Sequence, residues 1–455
     1  MTVTSHHSAV LRWCSYLLVV LIGTIQFAES IRAADAPKPN VLIIVTDDQR
    51  IGTMGMMPET RRRFFEEGTW FDNAFATSPL CCPSRASIMT GRYAHNHGVR
   101  TNSEGGRLDH ETTIQRYLQD QGYLTALGGR FLNGWQLDEA PPHFDRYGLL
   151  QRGYVDPRAN IDGALGRIDG YTTDVLRDYV VDVLTDFDLS RDAAPWFMYV
   201  TPLAPHRPAL PEVEYRSLEV PPFRATPSVL ERDRTDKPPY VRFLDADMAS
   251  VRRFRARQLR TLRSVDHLVR ELFQVLEEKG ELQNTLAFYL SDNGYLWGEH
   301  GLTGKGHSYT RSVRIPFAMR WPAAVVGGTS DERLAANIDI APTVLDAVGI
   351  SQSAVGPIDG RSLLSEVDRS RLLFELRGVR NWASLRTETY QYTEHYRDGG
   401  RVRFREYYRL TKDPWQLRNL LGDDRRANDP GVSRLHRQLR QARSCVGPDG
   451  PSACP

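Results

Sequence analysis

The sequence lacks most of the features that would place it in a narrow class. Cysteine is scarce, five in 455 residues, which excludes a scaffold built on disulfides. An excess of one charge is missing: 58 Lys and Arg stand against 56 Asp and Glu, and the signs are interspersed. That argues against nucleic acid or a strongly basic membrane surface as the main partner. No Asn-x-Ser/Thr acceptor occurs, which speaks against a heavily glycosylated secretory or lysosomal protein and fits bacterial export. Internal repeats are absent, and nothing in the composition is collagen-like, coiled-coil or disordered. Long apolar runs are missing apart from Tyr16 to Phe27, which follows Arg12 and precedes the small residues of AESIRAADA. This run is short for a bilayer span. It reads as a signal peptide cleaved after Ser30 or around Ala34 to Ala36. The mature chain is therefore expected to be exported, secreted or periplasmic, with no stable membrane span after cleavage. Cys14 lies ahead of the run, where a lipoprotein cysteine would not be.

What is present suits one large domain and one small one. Asn40 to Thr46 (NVLIIVT) has the continuous, β-branched texture of a central parallel strand and ends in Asp47-Asp48. Thr112 to Gln121 reads as a helix and Gly122 to Leu127 as a strand, followed by a loop from Gly128 to Trp135. Thr172 to Phe187 is an amphipathic helix. Pro195 to Thr201 is a buried strand that opens into a proline-rich loop containing His206. Glu212 to Pro239 is a surface excursion near the site. Arg255 to Lys279 is a long helix, and Thr285 to Leu290 a strand ending in Ser291-Asp292-Asn293-Gly294. This alternation predicts an α/β fold: a doubly wound, mostly parallel sheet with helices on both faces.

Past Ser370 the texture changes. Leu372 to Phe374, Trp382 to Arg386, Tyr390 to Tyr396 and Arg401 to Leu410 predict a small antiparallel sheet, and Val432 to Arg443 a last helix. The expected organisation is a leader over 1–36, a catalytic domain over 37–366 and a small α+β subdomain over 367–455. Cys445 and Cys454 bracket a Gly/Pro-rich tail and are expected to pair in an exported protein.

Ligands of open α/β sheets bind off the carboxyl ends of the strands. Asp47, Asp48, Asp292 and Asn293 are hard oxygen donors at two such ends, a candidate metal set. The stretch Ser78 to Gly98 (SPLCCPSRASIMTGRYAHNHG) carries the candidate nucleophile. Pro83 is placed as a first helical residue, and Gly91 stops a short helix. Cys81 then lies at a helix N-terminus, where unpaired N–H groups and the dipole suit an anion and activate a thiol. Cys82 reads as a packing residue.

Cys81-Cys82-Pro83-Ser84-Arg85 followed by Thr90-Gly91-Arg92 resembles the C-x-P-S-R…T-G signature of the sulfatase family, whose fold is alkaline-phosphatase-like. The resemblance implies that Cys81 is converted to formylglycine by a formylglycine-generating enzyme. It implies one Ca2+ ion held by Asp47, Asp48, residue 81, Asp292 and Asn293. Arg85, one helical turn beyond Cys81, would hydrogen-bond the converted residue. Lys305, in Gly304 to Tyr309 ahead of Arg314-Ile315-Pro316, would bind sulfate. His206, in Ala204-Pro205-His206, would protonate the leaving oxygen.

Two positions depart from the family pattern. Gly129-Arg130-Phe131 places Arg130 where the family has a catalytic lysine, a change from a compact ammonium to a planar fork. Leu132 stands where many members have histidine. This version, Leu132-Asn133-Gly134-Trp135, is similar to the N-acetylglucosamine-6-sulfatase-like branch. The expected activity is sulfuric ester hydrolysis on a sulfated saccharide, with 6-sulfated N-acetylglucosamine suggested by the branch. Two alternatives remain open at this point: a phosphodiesterase or phosphonate monoester hydrolase of the same fold, and a non-catalytic glycan-binding relative. His95, His97, His300 and His307 are imidazoles without an assigned place.

Overall fold

A computed structural model describes residues 37–190, 194–366, 369–378, 380–449 and 453–455. The expected leader and its cleavage positions lie outside the described residues. The strands are β1 (Asn40–Thr46), β2 (Thr69–Phe75), β3 (Leu124–Gly129), β4 (Arg146–Leu150), β5 (Arg158–Ile161), β6 (Ala164–Arg167), β7 (Trp196–Thr201), β8 (Thr285–Ser291), β9 (Leu296–Trp297), β10 (Thr303–Gly304), β11 (Phe317–Arg320), β12 (Thr329–Ala336), β13 (Leu372–Leu376), β14 (Trp382–Arg386), β15 (Tyr390–Tyr396) and β16 (Val402–Arg409). The helices used below are α1 (Cys81–Thr90), α2 (Ile114–Asp120), α3 (Thr172–Ser190), α4 (Met248–Glu278), α5 (Ile340–Ala347) and α6 (Val432–Ala442).

The alternation within β1 decides the layering. Leu42 and Ile44 enter one apolar core with Leu176, Val180 and Val183 of α3 and Val265, Val269 and Leu272 of α4. Val41, Ile43 and Val45 enter a second core with Ile88 and Met89 of α1, Leu118 of α2 and Val344 of α5. A strand that is apolar at every position needs helices on both faces. Each such side chain, fully buried, stabilises by roughly 1.5–3 kcal/mol. The doubly wound reading is borne out.

The main sheet has ten strands in the order β12-β2-β11-β8-β1-β7-β3-β4-β5-β6. From β8 through β1, β7, β3 and β4 all neighbours are parallel, so their carboxyl ends share one edge. β11 runs antiparallel between β8 and β2, and β5 and β6 close the other side as antiparallel strands. These flanking strands carry little sequence signal. All of β6 is exposed, so it lacks the alternation that marks a half-buried strand.

Most boundaries shift by a few residues from the sequence reading, and three of the differences bear on the site or its surroundings. Pro83 is the third residue of α1, because Leu80 is the extended N-cap and Cys81 opens the helix. Its missing N–H is still one of the donors a helix start leaves unpaired. β3 runs through Gly129, so the loop begins at Arg130. Gly129 has φ +102°, and a Cβ there would meet the Thr201 carbonyl oxygen at 2.2 Å, so glycine lets β3 close on β7 beside the site. α4 begins at Met248, with Asp247 accepting from the Ala249 N–H at 3.0 Å as its N-cap.

The small sheet is antiparallel in the order β13-β14-β15-β16. Its apolar face, with Leu373, Leu385 and Tyr392, packs with Leu435 and Leu439 of α6 and with Phe75 and Tyr93. Cys445 and Cys454 are disulfide-bonded and buried in that same cluster, as expected. Residues 39–455 make one compact unit. Among the described residues no helix is long and apolar enough to cross a membrane.

His97 gives the fold a pH signature. Its Nδ1 accepts the Val99 N–H at 3.1 Å, so the proton sits on Nε2, 3.1 Å from Ser87 Oγ of α1. Burial pushes this imidazole down to about 3 from an ordinary 6.5. Between those values the unfolded chain binds the proton and the folded chain does not, so stability falls as pH falls. The slope is at most about 1.4 kcal/mol per pH unit from this group. Thermal midpoints measured from pH 7 to 4 are expected to fall less steeply in His97→Gln than in the parent chain.

Candidate active site

Four adjacent parallel strands deliver four candidate segments to one edge. Thr46 pairs with Ser291, so Asp47-Asp48 leaves β1 beside Asp292-Asn293 leaving β8. β7 leads into the His206 loop, and β3 ends immediately before Arg130. Asp48 has φ +70°, a left-handed conformation that Asp tolerates better than most side chains. In that conformation the Asp48 N–H reaches Asp292 Oδ1 at 3.1 Å, and the Asp48 carboxylate accepts from Asn293 Nδ2 at 2.7 Å. The Gln49 N–H reaches Ser291 Oγ at 2.8 Å, so the two strand ends are pinned together.

α1 brings the cysteine. Cys81 Sγ is 3.3 Å from Asp47 Oδ1, and Lys305 Nζ donates to it at 2.6 Å. Lys305 also pairs with Asp48 Oδ1. Ligand atoms of Asp47, Asp48, Cys81 and Asp292 all lie within 4.8 Å of one another, and one atom each of Asp47, Cys81 and His206 do as well. Eight of the nine candidates, Asp47, Asp48, Cys81, Arg130, His206, Asp292, Asn293 and Lys305, therefore meet at this edge. The ninth, Arg85, lies directly behind. Its guanidinium binds Asp47 Oδ2 at 3.2 Å and Asp292 Oδ2 at 3.3 Å, and donates to the carbonyls of Arg130 and Phe131. Arg130 reaches Asp47 Oδ2 at 3.0 Å from the pocket side.

The electrostatics follow from packing three carboxylates and three cations out of water. Burial would raise Asp47, but His206, Lys305, Arg85 and Arg130 together hold it well below the usual carboxylate range. Burial and the neighbouring Asp47 push Asp292 up to about 7 against the pull of Arg85. Burial, then Asp47, push the Cys81 thiol well up. This direction opposes the activation expected at a helix start, and Lys305 beside Sγ pulls the other way. The N–H groups expected to be free there are also partly used, since the Cys82 N–H donates to Asn102 Oδ1 at 3.0 Å.

The donor set fits a hard dication. It is all oxygen apart from residue 81, and Asn293 Oδ1 is buried without a hydrogen-bond partner among the described residues, an atom that costs stability unless something binds it.

His206 is held by groups that sequence reasoning did not find. Its Nδ1 lies 2.7 Å from the Arg207 carbonyl oxygen, which only an N–H satisfies, so Nδ1 carries a proton and Nε2 faces Asp48 Oδ2 at 3.8 Å. Tyr154 Oη donates to the His206 carbonyl, and Arg152 Nη2 lies 3.4 Å from both the Arg207 carbonyl oxygen and His206 Nδ1. Asn102, Arg152, Tyr154 and Gln49 carry no local motif; they act across the fold. The unassigned imidazoles sit elsewhere. His95 is bonded to Glu375, His97 to Ser87 and His300 to Glu231, while His307 stacks on Tyr240.

Two family models match the chain: "Sulfatase" over residues 39–350, and "N-sulphoglucosamine sulphohydrolase, C-terminal" over 298–445. Extracellular sulfatase Sulf-1 homologs of Caenorhabditis elegans and Drosophila melanogaster are 32% and 31% identical over 77% and 78% of this chain. The chain spans 51% and 33% of their lengths. The N-acetylglucosamine-6-sulfatase of Homo sapiens is 31% identical over 91% of this chain and 86% of its own. A structure solved in complex with its substrate D-glucosamine-2-N,6-O-disulfate superposes with a TM-score of 0.78 at 23% identity, covering 89% of this chain and 97% of the other. That likeness shows the fold.

Proposed function

Since the chain belongs to the sulfatase family, we propose that it is a sulfuric ester hydrolase acting on a sulfated saccharide, with 6-sulfated N-acetylglucosamine as the preferred unit. The observation that carries this is the convergence of Cys81, Lys305 and three carboxylates within one buried cluster. The names of the human relative and of the glucosamine disulfate complex support the sugar.

We assign formylglycine to position 81, formed from Cys81 by a formylglycine-generating enzyme, and one Ca2+ to Asp47, Asp48, residue 81, Asp292 and Asn293. When present, these groups supply the nucleophilic oxygen and the neutralising charge. The chain's own residues do the rest. Arg85 spans Asp47 and Asp292 and fixes their carboxylates, so it is a positioning residue. Lys305 stands between Asp48 and residue 81, where its ammonium holds a sulfate oxygen close to the reacting atom. Arg130, mostly buried at the edge of the pocket, offers a second donor to the same anion. His206 is held through Nδ1 by the Arg207 carbonyl, which leaves Nε2 as the ring atom that would pass a proton to the departing oxygen. The expected leader and the extracellular relatives support export.

Initial rates on a sulfate monoester and a phosphate diester of one phenol, and sulfate release from N-acetylglucosamine 6-sulfate, test the reading. It expects the sulfate ester to be the faster phenol substrate and the sugar to be desulfated. A faster diester with an untouched sugar would move the chain to the phosphodiesterase class.

A further inference from the structure

The first half of α4 is the most basic stretch of the chain, Met248-Ala-Ser-Val-Arg252-Arg253-Phe-Arg255-Ala-Arg257-Gln-Leu-Arg260, and the catalytic reading gives it no task. Arg253, Arg257 and Arg260 lie on one helix face at i, i+4 and i+7. They line a cleft of about 510 Å³ together with Ser250 and Ala256. Arg257 and Ser250 also line the adjoining cleft of about 590 Å³, whose wall includes Arg207, Tyr295 and Trp297. Arg207 is the residue after His206, so the wall of the second cleft is one residue along the chain from the reaction site.

Arginines outnumber carboxylates on this surface: Asp245 and Asp247 line the second cleft, Asp245 pairs with Arg234 and Asp247 is linked to Arg253 through Ser250. Among the described residues, no carboxylate comes within ion-pair distance of Arg207, Arg252, Arg253, Arg257 or Arg260. Elsewhere on the same helix Arg263 pairs with Asp266, and Arg270 with Glu271. Asp247 beside the cleft is engaged as the helix cap. The cations are also set in place: Arg207 lies over the Phe254 ring at 4.6 Å and donates to Tyr295 Oη at 2.8 Å, and Arg257 lies over Phe254 at 5.7 Å. Arg260 is fixed by the Leu218 carbonyl. Unpaired arginines repel one another, and a helix keeps them in a row at a cost unless an anion joins them.

We propose that this row is an exosite for a sulfated polysaccharide chain, gripping sulfate groups one or more sugars away from the one being cleaved. The spacing supports a linear polyanion: i to i+7 spans about 10 Å along a helix, and planar guanidiniums suit sulfate bidentately. The exosite rests on the reading of the substrate as a sulfated saccharide. It adds that the natural substrate is a polymer carrying several sulfates.

Arg253 and Arg257 are both exposed, so Arg253→Gln/Arg257→Gln leaves the core intact. Binding of the full chain to heparin, used as the sulfated polysaccharide probe, is measured against salt beside hydrolysis of a small monosulfated substrate. The double variant is expected to lose at least about tenfold in heparin affinity near 0.15 M salt. The slope of log affinity against log salt should shrink by about 2, one per cation removed. Rates on the small substrate should stay unchanged. Heparin affinity equal to the parent's would overturn the exosite, as would duplex DNA or phosphatidylserine vesicles binding as tightly as heparin. A parent chain that binds heparin through these arginines but hydrolyses no sulfate ester would keep the exosite and sink the hydrolase reading. Turnover of the small ester with no arginine-dependent heparin binding would do the reverse.

Discussion

Cys81→Ala is expected to remove at least about 10³-fold of kcat/KM on any sulfate ester, equivalent to roughly 4 kcal/mol of transition-state stabilisation. The size follows from position. Sγ of residue 81 is the atom that Lys305, Asp47 and the metal-type carboxylates surround, and nothing else in the cluster is a candidate nucleophile. Burial and Asp47 push the thiol itself up, which works against a thiolate at this position. Alanine keeps the helix, since Cys81 is the first residue of α1 and alanine is a good helix former. The thermal midpoint should therefore move little while turnover disappears. Retained turnover would place the nucleophile elsewhere.

Asp292→Asn should remove bound metal and activity together. The amide keeps the volume and one acceptor for the Asp48 N–H, which Asp292 Oδ1 now receives at 3.1 Å. It removes the charge that faces Arg85 at 3.3 Å. One of three carboxylates within 4.8 Å is thereby neutralised, and divalent affinity depends on ligand charge. Metal content by atomic emission is expected to fall from one ion per chain to near zero, with activity lower by about 10²-fold or more. Loss of activity with full metal content would mean that Asp292 serves only to hold Arg85.

The parts of this site that were legible in the sequence are those tied to local pattern. Asp47-Asp48 and Asp292-Asn293 could be read because each closes an apolar, β-branched run, and parallel strands must present their carboxyl ends together. Cys81, His206 and Lys305 could be read because short ordered motifs surround them. Helical spacing puts Arg85 one turn beyond Cys81, but spacing alone does not show that its guanidinium bridges Asp47 and Asp292 and reaches the carbonyls of Arg130 and Phe131. Asn102, Arg152 and Tyr154 were invisible, since each contributes one side chain from a loop or strand end whose position the whole fold sets. The same holds for the sheet margins. The main strands announced themselves by burial on both faces, whereas exposed β6 and the charged start of β12 gave no periodicity to follow. The early start of α4 was hidden by its arginines, which mask the apolar positions Val251 and Phe254 buried beneath them.

The state of residue 81 decides the account most directly. Mass spectrometry of the peptide spanning Ser78 to Arg92, taken from protein made in a host that has the oxidising machinery, should show the Cys81 CH2SH replaced by an aldehyde, with the Cys82 thiol intact. A peptide in which Cys81 remains an unmodified thiol, in protein that nevertheless hydrolyses sulfate esters, would contradict it.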